Sequence, residues 1–110
     1  MSHKTIELTE KTFEDTALRN DGKPVLIDYW ATWCGPCRAM TPVLESLADE
    51  YEGKAVIAKV NVDEQPTLAA AARVQAIPTL VLLKDGEVVN VMVGAQPKGK
   101  LKKELERHAA

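Results

Sequence analysis

The chain lacks most of what would open several functional classes. It has two cysteines and two histidines among 110 residues. Two cysteines cannot build a disulfide-laced scaffold. A structural zinc ion usually wants four Cys or His ligands, and His3 and His108 stand near opposite ends of the chain. Zinc would therefore require a site shared between two chains. No apolar run approaches ~20 residues, so no membrane-spanning helix and no membrane partner are expected. The opening Met1-Ser2-His3-Lys4-Thr5-Ile6 lacks the apolar core, about 7–15 residues long, of a secretory signal, and a cytoplasmic protein is expected. A net charge of −2 argues against nucleic acid as a partner. Only Lys98, Lys100, Lys102, Lys103 and Arg107 are locally basic, and they alternate with Leu101 and Leu105 as on a solvated helix face. There is no internal repeat, linker or low-complexity tract. What remains is 45% hydrophobic, enough for one domain over residues 1–110 with a real core.

Both cysteines fall in Trp33-Cys34-Gly35-Pro36-Cys37. The run before them, Val25 to Ala31, is apolar except for Asp28, which suggests a strand buried on both faces. After them Met40, Leu44, Leu47, Ala48 and Tyr51 repeat at the spacing of one helical face. The pair thus sits where a buried strand hands over to a helix. Three uses are open to it: a structural staple, half of a metal site, or a redox couple. As a staple it is weak, because closing a loop of about four residues contributes only ~2 kcal/mol, against ~3 kcal/mol for 15 residues. A fold that survives loss of the bond is what a bond that opens and closes in service requires.

Along the chain, Thr5–Leu8 reads as a short edge strand. Thr9 is expected to cap a helix that turns Phe13 and Ala17 inward and ends at Asn20-Asp21-Gly22. The strand over 25–31 leads to a helix starting near Gly35 or Pro36, kinked at Pro42 and stopped by Gly53. A strand over 55–62 follows, apolar but for Lys59, then a helix from Pro66 to about Val74. Thr79–Leu83 and Val88–Val93 form an antiparallel hairpin through Lys84-Asp85-Gly86-Glu87. Gly94 to Gly99 is a loop, and a last amphipathic helix runs to about His108.

The pentapeptide, Asp28 six residues ahead of the first cysteine, Lys59, Ile77-Pro78-Thr79, Asp85-Gly86 and Val93-Gly94-Ala95 together resemble the thioredoxin family over essentially the whole chain. Ala76, Tyr29 and Arg38 depart from the commoner Gly, Phe and Lys, and residues 80–83 include no phenylalanine; none of these touches the sulfur chemistry. The resemblance implies an α/β fold, a mixed five-stranded sheet of order 1-3-2-4-5 with four flanking helices. It implies a monomer that reduces protein disulfides, holds no bound cofactor, and is recharged by a thioredoxin reductase drawing on NADPH.

Within that frame Cys34, just ahead of a helix whose N–H groups and dipole favour an anion, is expected to be the exposed attacking thiolate. Cys37, a turn deeper, resolves the mixed disulfide. Gly35-Pro36 accompanies a reducing potential in the family. Asp28 is either a proton acceptor for Cys37, its pKa raised by burial, or a strand-end carboxylate bonded to backbone or water. Lys59 either pairs with Asp28 or snorkels to solvent. Only about 5–6% of X–Pro bonds are cis, yet the resemblance implies a cis Pro78 packed on the cysteines. Trp33, Gly35, Pro36, Ile77, Pro78, Val93, Gly94 and Ala95 then form an apolar collar that binds substrate, unless Ile77 and Val93 are simply core. Trp30 is read as packing. The rivals from other classes are a non-catalytic binding module that keeps the CxxC, and an oxidase or isomerase of the same fold.

Overall fold

A computed structural model describes residues 4–109. The elements follow in the order β1 (Ile6–Glu7), α1 (Phe13–Ala17), β2 (Val25–Trp30), α2 (Gly35–Glu50), β3 (Val56–Asn61), α3 (Pro66–Ala71), β4 (Thr79–Lys84), β5 (Glu87–Val93) and α4 (Lys98–His108). The strands form one sheet ordered β1-β3-β2-β4-β5. The first three run parallel; β4 runs antiparallel to β2, and β5 antiparallel to β4. This is the mixed sheet of order 1-3-2-4-5 that the family resemblance implies.

Alternation along the central strands divides the core in two. Leu26, Ile57, Leu80, Leu82 and Met92 point to one face, where Met40, Leu44 and Leu47 of α2 and Leu101 and Leu105 of α4 cover them. Val25, Ile27, Tyr29, Ala58, Val60 and Val81 point to the other, against Phe13 and Ala17 of α1 and Leu68 of α3. A strand with helices on both sides has no face left for polar residues, which is why β2 reads as a continuous apolar run and why Asp28 within it stands out.

Local chemistry sets the element ends. Asp85 (φ 52°) and Gly86 (φ 81°) both adopt left-handed backbone, the requirement of a two-residue hairpin turn whose twist suits its strands. The loop is therefore two residues long, and Lys84 and Glu87 pair as the last rung. Gly53, at φ 79°, turns the chain after α2. That helix runs without interruption through Pro42.

Three expected boundaries move. Thr9 does not cap with its side chain: its carbonyl accepts the N–H groups of Thr12 and Phe13 in a preceding turn, and α1 begins only at Phe13. β1 is reduced to Ile6–Glu7. α3 ends at Ala71, short of Val74, because Arg73 takes a left-handed φ of 57° and the Val74 N–H folds back to the Ala69 carbonyl. Helix propensity in the alanine run does not outweigh that turn. No helix among the described residues is long and apolar enough to cross a membrane.

Candidate active site

Cys34 is the N-cap of α2. Its backbone is extended (φ −90°, ψ 113°), and its Sγ accepts the Cys37 N–H at 3.2 Å. Of the first-turn N–H groups that a helix leaves without an internal partner, one is thus aimed at sulfur. Together with the dipole it stabilises negative charge on that atom. Cys34 and Cys37 are joined as a disulfide, their Cα atoms 5.2 Å apart. Neither sulfur is widely open: Cys34 is 6% exposed and Cys37 2%. The expectation of an exposed Cys34 is corrected here, because Ala31, Trp30, Val62 and Ile77 pack around the pair. The Ile77 carbonyl oxygen stands 3.9 Å from Cys34 Sγ.

Asp28 is completely buried, and neither carboxyl oxygen has a hydrogen-bond partner in the protein. The backbone bond that a strand-end carboxylate would use is therefore not made. Burial pushes its pKa up to about 7, against the opposing pull of Lys59. Lys59 is its neighbour in register on β3, so both side chains leave the same face of the sheet. The ammonium does not close an ion pair with Asp28 among the described residues; Nζ lies 4.1 Å from the centroid of the Trp30 ring, a cation–π seat. The electrostatic pairing with Asp28 therefore holds, exerted through space from an aromatic perch and not through a closed ion pair. Trp30 is packing, as its residue type suggests, and also the platform for that charge.

Of the collar residues distant in sequence, Ile77 packs against Cys34, and the set is unevenly covered. Trp33 (67% exposed) and Val93 (62%) stand out, with Gly35, Pro36 and Ala95 also exposed. Ile77 and Gly94 are half-buried and Pro78 buried. Val93 is therefore not core. The Ile77–Pro78 bond is cis. The Gly94 N–H donates to the Pro78 carbonyl at 2.8 Å, which ties Val93-Gly94-Ala95 beside the Ile-Pro segment. Ile77 itself lies outside β4 and takes no part in its pairings. Between Trp33, Val62, Val74, Ala76 and Ile77 opens a hollow of about 420 Å³. A second apolar hollow, about 340 Å³ between α1, α3 and β5, contains none of the sulfur-site residues.

Sequence reasoning missed the residues that hold this rim. Asp63 Oδ2 accepts the Trp33 indole N–H at 2.8 Å. Asn61 Oδ1 accepts the N–H groups of Asp63 and Glu64, and Gln96 Nε2 donates to the carbonyls of Val93 and Gly94. An Asn two residues before an Asp at a strand end is an Asx-turn signal that could have pointed to Asn61; nothing local marks Gln96. Among the described residues no three His, Cys, Asp or Glu side chains converge as metal ligands, and His3 lies outside the described residues.

The model of the thioredoxin family matches residues 4–107. The chain belongs to the thioredoxin family. Its relatives include a thioredoxin of Chlorobaculum thiosulfatiphilum, 50% identical over 105 residues with 96% of each chain covered. Thioredoxin 2 of Chlorobaculum tepidum is 49% identical, with 98% of each covered. Among solved structures, a mutant thioredoxin from Halobacterium salinarum superposes with a TM-score of 0.87 at 38% identity, covering all of this chain and 96% of that one. Like other thioredoxins the protein is a thiol–disulfide oxidoreductase, a protein-disulfide reductase whose redox group is its own Cys34–Cys37 disulfide.

Proposed function

We propose that Cys34 and Cys37 divide the reaction in the reduced protein. The Cys34 thiolate attacks one sulfur of a substrate disulfide, forms a Cys34–substrate bond and releases the other substrate sulfur as thiolate. Cys37 then gives its proton to the Asp28 carboxylate and attacks Cys34 Sγ. The mixed disulfide breaks, the second substrate thiolate leaves, and Cys34–Cys37 remains oxidised. Two electrons have passed to the substrate. The observation that carries this order is the Cys37 N–H donated to Cys34 Sγ at the head of α2. It favours charge on Cys34 and leaves Cys37, inside the helix, to follow.

The collar of Trp33, Gly35, Pro36, Ile77, Pro78, Val93, Gly94 and Ala95 receives an extended, apolar stretch of a protein substrate. The exposed apolar side chains of Trp33 and Val93 support this, because such groups lose water favourably on contact. A thioredoxin reductase fed by NADPH restores the dithiol. The chain works as one domain, as a monomer, in a reducing cytoplasm.

The test is insulin reduction with dithiothreitol as electron source, together with trapping. Cys34→Ser should abolish turnover. Cys37→Ser should accumulate a covalent protein–substrate adduct that dithiothreitol releases. Turnover by the first variant, or no adduct with the second, would reverse the assignment.

A further inference from the structure

Three side chains form a row across three parallel strands. Glu7 on β1 is in register with Lys59 on β3, and Lys59 is in register with Asp28 on β2. Partners in register on parallel strands project to the same face, so the lysine stands between two carboxylates, each one strand away. It is clamped to neither: among the described residues Lys59 closes no ion pair with Glu7 or Asp28, and its Nζ rests over Trp30. We propose that Glu7 is a positioning residue for the resolving step: from the far side of the row its charge opposes that of Lys59 at Asp28 and so sets how readily Asp28 holds a proton. The inference rests on the reading of Asp28 as proton acceptor for Cys37.

The two ends of the row differ in solvation, which gives the arrangement its direction. Asp28 has no exposed surface, while Glu7 lies on a short edge strand and is exposed. An ammonium near both favours ionisation of both, and Glu7 ionises more cheaply because water still reaches it. Once charged, Glu7 offsets the attraction that Lys59 exerts on Asp28. The electrostatics agree: burial raises Asp28, Lys59 lowers it, and Glu7 raises it again. Burial also raises Glu7, against Lys59, with Glu64 adding to the rise. The Trp30 indole N–H is near enough to favour the Glu7 carboxylate without reaching hydrogen-bond geometry. From α2 and α4, Met40, Leu44, Leu47, Leu101 and Leu105 fill this half of the core and are uncharged; titratable Tyr51, just past the end of α2, bonds Glu106, and the buried Glu104 of α4 bonds Asn90. Cys37, in the first turn of α2, adds an ionisable group only when reduced. Asp28 therefore answers chiefly to Lys59 and Glu7.

The experiment follows the Asp28 carboxyl directly, by carbon NMR of the full chain labelled at aspartate, in wild type, Glu7→Gln, Lys59→Met and the double variant. Glu7→Gln is isosteric at an exposed position, and a thermal melt checks that it folds. Its Asp28 midpoint should fall by about half a pH unit, the size expected of a charge ~10 Å away, discounted for solvent screening. Lys59→Met should move the midpoint the opposite way, upward, and the double variant should lie between the two single variants. An unmoved or rising midpoint in Glu7→Gln overturns the proposal. So does a midpoint that Lys59→Met leaves unmoved or lowers, which would remove the opposing charge from the row. The pH profile of mixed-disulfide resolution should shift with the midpoint. A midpoint that moves while the profile stays put would instead overturn Asp28 as proton acceptor and leave the three-strand coupling standing.

Discussion

Trp33 and Asp63 are joined across the mouth of the site, the indole N–H donating to Oδ2 at 2.8 Å although both residues are exposed. Asp63 is itself held by the buried Asn61, whose Oδ1 accepts the Asp63 N–H at 2.9 Å. A strand end therefore orients a carboxylate, and the carboxylate orients the largest apolar surface beside Cys34. Fixing a side chain before substrate arrives saves on the order of 0.5–1.5 kcal/mol of ordering at binding.

Asp63→Ala should accordingly raise KM for a protein disulfide about two- to tenfold and leave kcat nearly unchanged. Steady-state insulin reduction measures both. An unchanged KM would remove Trp33 from the substrate contact.

The stability of the protein should fall as pH rises through the range where Asp28 titrates. The carboxyl ionises at an ordinary 3.8 when unfolded and at about 7 when folded, so between those values the native state binds more protons. Stability from this group is complete below about pH 4, declines through about pH 7 and is level above. The full loss is on the order of 4 kcal/mol. Asp28→Asn should abolish it, making the variant more stable than wild type at pH 8 and closer to it at pH 5. Urea melts at the two pH values test this, and parallel curves would contradict the buried charge.

The same substitution should slow resolution of the mixed disulfide. With Asp28 half-ionised near pH 7, the wild-type rate should climb through neutrality. Asp28→Asn should lag about tenfold near pH 7–8, the deficit narrowing as thiols ionise unaided above ~8.5. Rapid mixing of the reduced protein with a disulfide substrate reads the step. Coincident profiles would return Asp28 to a purely structural role.

Leu44 tests the scaffold apart from the chemistry. It is fully buried on α2, in the cluster that holds the helix to the sheet. Leu44→Ala should cost about 2–5 kcal/mol and lower Tm by roughly 10 °C or more. Calorimetry decides it, and a loss below 1 kcal/mol would mean that the face between α2 and the sheet is not tightly packed.

What could be read from the chain itself was whatever rests on neighbours in sequence. Two-sided burial of β2, the helical face of α2 and the Asp85-Gly86 turn depend on periodicity or backbone preference, and all were legible there. The sheet order and the cis Ile77–Pro78 bond came from resemblance, since spacing alone leaves strand order open and favours trans. Other properties arise between segments far apart and needed the folded chain. Ala31, Val62 and Ile77 converge to cover Cys34; Asp63 reaches Trp33 thirty residues away; and Glu7, in the short first strand, stands one strand from Lys59 and two from Asp28. Electrostatic energy depends on distance and solvation, and neither quantity exists until the strands are side by side.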